Sequence, residues 1–175
     1  ILSGAEDNTA RLWSKNDAKE LRAWPHSAWV QDLAVAGNEQ WLFTADAEGF
    51  ITRHSLTTTS QPVVRWRGHD ASIHALLLRP VALPAVASRM EKVAKPIEPE
   101  LWQVLTASRD GTVKLWNGDG LLLAKFDTPQ QNIVALAATP RWLAGGDDSG
   151  NVLVWDLESR TLRHTLRGHS RGVYG

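Results

Sequence analysis

The feature that most constrains this chain is a segment written four times. Residues 3–13, beginning Ser3-Gly4-Ala5-Glu6-Asp7 and ending Leu12-Trp13, share one template with residues 44–54, 106–116 and 145–155. In each copy a small or apolar run enters a tight, acidic turn bearing glycine or asparagine. An alternating run then ends on tryptophan or, in the second copy, on His54. That pattern specifies a β-hairpin, because glycine supplies the positive φ of the turn and period-two alternation aims one face of the returning strand at a core. A second marker precedes each hairpin. Pro25-His26, Gly68-His69, Thr128-Pro129 and Gly168-His169 each lead into a short run such as residues 73–78 or 133–138.

Both markers set one period. Trp13 and His54 are 41 residues apart, His54 and Trp116 are 62 apart, and Trp116 and Trp155 are 39 apart. Two intervals match a repeat of about 40 residues, and the middle one is longer by roughly half a repeat. The excess falls in residues 79–100, which hold four of the eight prolines and are therefore expected to be an inserted loop rather than a strand. The repeats then run over about 1–24, 25–66, 67–127 and 128–167, with another starting at 168–175, as one region rather than several domains. Units of this length cannot bury an apolar face alone and must stack on one another.

Gly68-His69, Asp110-Gly111 and Trp116 in order, followed in phase by Trp155-Asp156 and Gly168-His169, resemble the WD-repeat (WD40) β-propeller family. The resemblance covers nearly the whole chain outside the inserted loop. It implies an all-β fold, a propeller of four-stranded antiparallel blades with about four blades in this chain. The sequence opens inside a repeat at Ile1 and stops as another begins, so the expectation is part of a larger ring, with a closed four-bladed ring as the alternative. The resemblance also implies a hydrogen-bonded blade network. Its one whole copy comprises His69, Thr106 (Ser108 being the less favoured candidate), Asp110 and Trp116. Partial copies contribute Ser3, Asp7 and Trp13, then His26, then Trp155 and Asp156, with His169 opening the next. Glu48 and His54 replace aspartate and tryptophan in the second repeat, and Pro129, Gly145 and Ser149 break the pattern in the fourth. Those two repeats are expected to rely on packing. A His, an Asp and a hydroxyl also spell a hydrolase triad, but their recurrence in phase reads as structure. No catalytic residue is assigned, and the chain is not expected to be an enzyme.

Loops between strands gather at the two ends of such a stack, where binding residues usually sit. Just before the acidic turn position stand Glu6, Ala47, Arg109 and Asp148, and just before the first buried strand position stand Trp29, Ser72, Asn132 and Gly172. Variation around a constant frame suits a recognition surface. Trp29 and Arg109 are the expected anchors, because tryptophan and arginine dominate interface energetics, with Glu6, Asp148 and Asn132 beside them. Trp29 packed under a loop is the competing reading. The expected role is a non-catalytic scaffold presenting loops to a protein or peptide partner. The alternative is a regulatory repeat region of a larger enzyme or signalling protein. At the opposite end, Val81, Leu83, Val86, Met90, Val93 and Ile97 make the insertion too apolar for an inert linker, so that it either clasps a partner or folds back on its own blade.

Composition removes other classes. Lysine and arginine number 19 against 19 acidic residues, so no charge footprint for nucleic acid or an anionic membrane is present. Arginines 65, 67, 163, 167 and 171 cluster only modestly. The absence of cysteine excludes disulfides and thiolate ligands. Asp147, Ser149 and Asn151 alternate like calcium ligands but lack the downstream glutamate, so neither metal nor cofactor is expected. No signal-peptide pattern and no bilayer-length apolar run is visible, which points to a cytoplasmic chain. Open sheet edges would favour self-association.

Overall fold

The computed structural model describes residues 1–36, 39–58, 63–81, 102–129 and 132–175. Its elements are all strands, grouped in four antiparallel sheets. The first holds β1 (Leu2–Gly4), β2 (Thr9–Trp13) and β3 (Glu20–Pro25), and is three-stranded rather than four-stranded. The second is β4 (Val30–Val35), β5 (Trp41–Asp46), β6 (Phe50–Ser55) and β7 (Val64–Arg67). β8 (Ile73–Pro80), β9 (Trp102–Ser108), β10 (Val113–Asn117) and β11 (Leu122–Phe126) make the third. The fourth is β12 (Ile133–Ala138), β13 (Trp142–Asp147), β14 (Asn151–Asp156) and β15 (Thr161–Arg167). Each sheet is a meander with strands in chain order. The first strands β1, β4, β8 and β12 adjoin one another in succession. No helix among the described residues is long and apolar enough to cross a membrane.

The hairpin turns explain why the two sequence markers stay in phase. Gly49, Gly111 and Gly150 have φ of 87°, 77° and 92°, and Asn8 takes their place at 64°. The next repeat begins on top of that residue. The amides of Gly68 and His69 donate to the Gly49 carbonyl at 2.9 and 3.1 Å, the His26 amide donates to the Asn8 carbonyl at 2.8 Å, and the Thr128 hydroxyl donates to the Gly111 carbonyl. A Cβ on Gly49 would lie 2.3 Å from the His69 carbonyl oxygen, so side chains other than hydrogen are excluded by contact as well as by φ. The turn of one repeat is thus the seat of the next.

Three apolar cores fill the spaces between successive sheets, because period-two alternation sends neighbouring side chains to opposite faces. In β9, Val104 joins Trp41, Phe43, Ile51 and Trp116 between the second and third sheets. Its neighbour Leu105 joins Phe126, Ile133, Leu153 and Trp155 between the third and fourth. Among the described residues the first boundary is the smallest, with Ala10, Trp24, Val30 and Leu42 as its buried apolar residues. Polar clasps cross the boundaries too. The buried Arg53 guanidinium donates to the Gly118 carbonyl at 2.8 Å and to Asp119 at 2.5 Å while lying over the Trp41 ring.

The insertion starts later than the sequence suggests. Arg79 and Pro80 belong to β8, opposite Gln103 and Trp102. A proline fits there because β8 is an edge strand, where a missing donor need not break a ladder. Residues 82–101, including Leu83, Val86, Met90, Val93 and Ile97, lie outside the described residues.

Candidate functional site

The third sheet brings its four network residues into one directional chain. Trp116 Nε1 donates to Thr106 Oγ1 at 2.9 Å, and that hydroxyl lies 2.8 Å from His69 Nε2. Since the hydroxyl has one hydrogen, accepting from the indole lets it donate to Nε2. The His69 proton therefore sits on Nδ1, facing Asp110 Oδ2 at 3.0 Å. Thr112, which the sequence reading missed, donates its hydroxyl to Asp110 Oδ1 at 2.6 Å. The Thr112 and Asp70 amides complete the carboxylate shell. Burial pulls the His69 ring down to about 4, with Asp110 opposing. Burial raises Asp110, but Thr112, the Asp70 amide and His69 outweigh it and hold the carboxyl below its usual range. His69 and Thr106 are 1% and 0% exposed, whereas Asp110 and Thr112 are half-buried and border the cleft described below. Every polar atom of this hydrogen-bonded chain is spent on another member, which makes the arrangement a structural fastening.

The other copies depart from this plan. Trp13 Nε1 donates to Ser3 Oγ at 2.8 Å, while Asp7 turns instead to Thr9 and Arg11. Trp155 has no hydroxyl opposite, because Gly145 stands at that position, and its Nε1 donates to the Asp127 carbonyl at 2.8 Å. Asp156 caps the following turn, accepting from the Glu158 and Ser159 amides. His26 bonds to neither Thr44 nor Glu48 through Nε2, which is buried without a partner; Glu48 instead accepts from Ser27. His169 is exposed and takes no part in a described network.

The second and fourth repeats hold their turns by more than packing. Asp46 Oδ1 accepts from the amides of Glu48 and Phe50, and Asp147 Oδ1 from those of Ser149 and Asn151. Both aspartates are buried. They stand two positions before the residue aligned with Asp110, where the third repeat has Ser108. The spacing Asp-x-x-Gly, a turn signature, was the available signal. With the Asn151 amide on Asp147 Oδ2 as well, this carboxylate is occupied by its own turn.

A cleft of about 870 Å³ opens between the third and fourth sheets. It runs from His74 on β8 to Lys125 on β11, that is, from the innermost to the outermost strand of the third sheet. It gathers Arg109, Asn132 and Asp148, three of the five expected recognition residues. Backbone bonds fix their loops, from the Arg109 amide to the Ser72 carbonyl and from the Asp148 amide to the Asn132 carbonyl. Asn132 Nδ2 donates to Asp148 Oδ2 at 3.1 Å. Among the described residues no hydrogen bond or ion pair holds the head groups of Arg109 and Lys125, whereas Arg11, Arg22, Arg53 and Arg65 are all engaged. Asp127, Thr128 and His74 were not named as recognition residues from sequence because the cleft is assembled from two repeats. Burial lowers His74, with Arg109 adding to the effect and Asp148 opposing it, so the imidazole is neutral near pH 7. Trp29, 49% exposed, and Glu6, also exposed, lie outside the lining. Opposite charges and hydrogen-bonding groups in one concave strip suit a polar polypeptide segment.

The family profile described as "WD domain, G-beta repeat" matches residues 99–117, the stretch that contains Thr106, Asp110 and Trp116. The nuclear distribution protein nudF of Emericella nidulans is 23% identical, with 99% of this chain covering 40% of that protein. The nuclear distribution protein PAC1-2 of Uncinocarpus reesii is 27% identical across 90% of this chain and 35% of its own length. PAC1 of Yarrowia lipolytica is also 27% identical, across 76% and 29%. The chain thus spans 40% or less of these relatives. Among solved structures, the computationally designed Ika8 protein superposes with a TM-score of 0.73 at 25% identity, over 99% of this chain and 48% of that one.

Proposed function

This chain is a member of the WD-repeat family, and on that premise we propose that it is a non-catalytic scaffold that seats a protein or peptide partner in the cleft between its third and fourth sheets. The observation that carries the reading is the pair of unengaged cations, Arg109 on a backbone-bonded turn and Lys125 on strand β11, beside Asp127 and Asp148 in one cleft. Complementary charges on a fixed backbone steer and orient a partner, whose own charged groups supply the bonds that Arg109 and Lys125 lack. The names of the relatives concern nuclear distribution, which makes an assembly partner in the same kind of process the first to try.

The test compares the wild-type protein with the double variant Arg109→Glu, Asp148→Lys as affinity baits in a cell extract. Proteins held by the wild type and released by the variant, at an unchanged melting temperature, are the expected outcome. Partners held equally by both would overturn docking at this cleft.

A further inference from the structure

The boundary between the first and second sheets differs from the other two at its aromatic position. Trp116 and Trp155 each fill a core and donate their indole hydrogen, to Thr106 and to the Asp127 carbonyl. The template puts His54 there instead. Its ring is smaller than an indole, the residue is 5% exposed, and neither Nδ1 nor Nε2 has a partner among the described residues. His26 stands edge-on to it with ring centroids 5.4 Å apart, and its Nε2 is buried and unpartnered as well. Three ring nitrogens therefore meet where the third sheet has a finished hydrogen-bond chain.

The charges around this pair offer a proton no welcome. From β3, Arg22 lies over the Trp24 ring and donates to the Ser55 carbonyl at 3.0 Å, and Trp24 itself packs 5.8 Å from His54. On the second sheet, Asp46 and Arg65 face His26, but Asp46 already serves two amides and lies 3.5 Å from Arg65. His69 has a waiting carboxylate in Asp110; His54 has none. The surrounding core is also the smallest, with four buried apolar residues against nine and twelve at the next two boundaries among the described residues. A cation created here is unpaired and buried, a state that proteins relieve by exposing the group.

We infer that the boundary between the first and second sheets is an acid-operated latch: proton uptake by the His26–His54 pair parts these two sheets while the other two boundaries stay closed. Burial draws His54 down to about 4, with His26 and Arg22 adding to it, and burial lowers His26 in the same direction. An opened His54 would titrate near its ordinary value. The opening equilibrium at this boundary then rises about 30-fold between pH 7.5 and 5.0.

The lack of cysteine makes the test direct. Ala10→Cys, Ala45→Cys and Ala107→Cys each place one thiol at a fully buried position, in the first, second and third boundary respectively. Labelling of the intact protein by a disulfide reagent active in acid is measured at both pH values, relative to the unfolded chain at the same pH. The expected result is that Ala10→Cys is labelled faster than the other two at both pH values and rises about 30-fold, while labelling at Ala45→Cys and Ala107→Cys follows the global unfolding equilibrium measured in urea at the same pH. Adding His54→Phe, or His54→Trp if the first variant is unstable, brings Ala10→Cys back to that global rate. Labelling of Ala10→Cys that matches global unfolding at both pH values, or an excess that survives both substitutions, overturns the latch. An NMR titration of the His54 ring at an unshifted value overturns it independently.

Discussion

Replacing Thr106 with valine keeps the shape of the side chain and deletes one hydroxyl, yet that hydroxyl is the middle link between two rings. It accepts from Trp116 Nε1 at 2.9 Å and lies 2.8 Å from His69 Nε2, at a position with no exposure to solvent. The substitution leaves one buried donor and one buried acceptor unpaired. Each such group costs about 1–3 kcal/mol, so the expected loss is about 2–5 kcal/mol. Thr106→Ser removes only a methyl and keeps the link, for a loss of about 1 kcal/mol. Equilibrium unfolding in guanidinium chloride measures both, and combining Thr106→Val with Trp116→Phe closes a double-mutant cycle. Because the two substitutions break the same bond, the double variant should be less damaged than the sum of the singles. A loss below about 0.5 kcal/mol for Thr106→Val, or strict additivity, would refute the directional chain.

Two further outcomes follow from the same geometry. Gly49→Ala should lower stability by about 1–3 kcal/mol through a strained φ of 87° and the 2.3 Å approach to the His69 carbonyl, whereas Gly168→Ala meets open space and should be near neutral; thermal melts separate the two. Since burial lowers folded His69 to about 4 from 6.5, its stabilising effect is whole above pH 6.5 and is lost as pH falls through that window. The loss is worth about 3 kcal/mol and is read as a falling urea midpoint, which a flat midpoint from pH 7.5 to 4 would contradict.

Much of the architecture was legible because its signals are local. Hairpin turns declare themselves through Asp110-Gly111 and alternating strands, and the period follows from repetition alone. What escaped reading crosses between repeats. Arg53 meets Asp119 66 residues away, and the cleft joins Arg109 of one repeat to Asn132 and Asp148 of the next. Asp46 and Asp147 were not read as turn caps for a different reason: aligning every turn on Asp110 hid the cap that sits two residues earlier, and Asp147 was weighed only as a calcium ligand. Thr112 could have been found from Asp7-x-Thr9 and Asp110-x-Thr112, a spacing shared by two repeats. His54 was visible as a departure, but its isolation depends on Trp24 and His26 from another strand and loop.

The glycine seat at each hairpin turn divides evolutionary freedom unevenly along a repeat. Registration between neighbours is fixed by the contact of Gly49 with His69, and of Gly111 with Thr128. The connection that leaves β8 and returns to β9 joins two residues, Pro80 and Trp102, that the strands already pair. Lengthening that path adds closure entropy only as the logarithm of its length. One connection can therefore acquire sequence of new character without disturbing the alignment of any blade, whereas a single residue added inside β6 would shift its register against both β5 and β7.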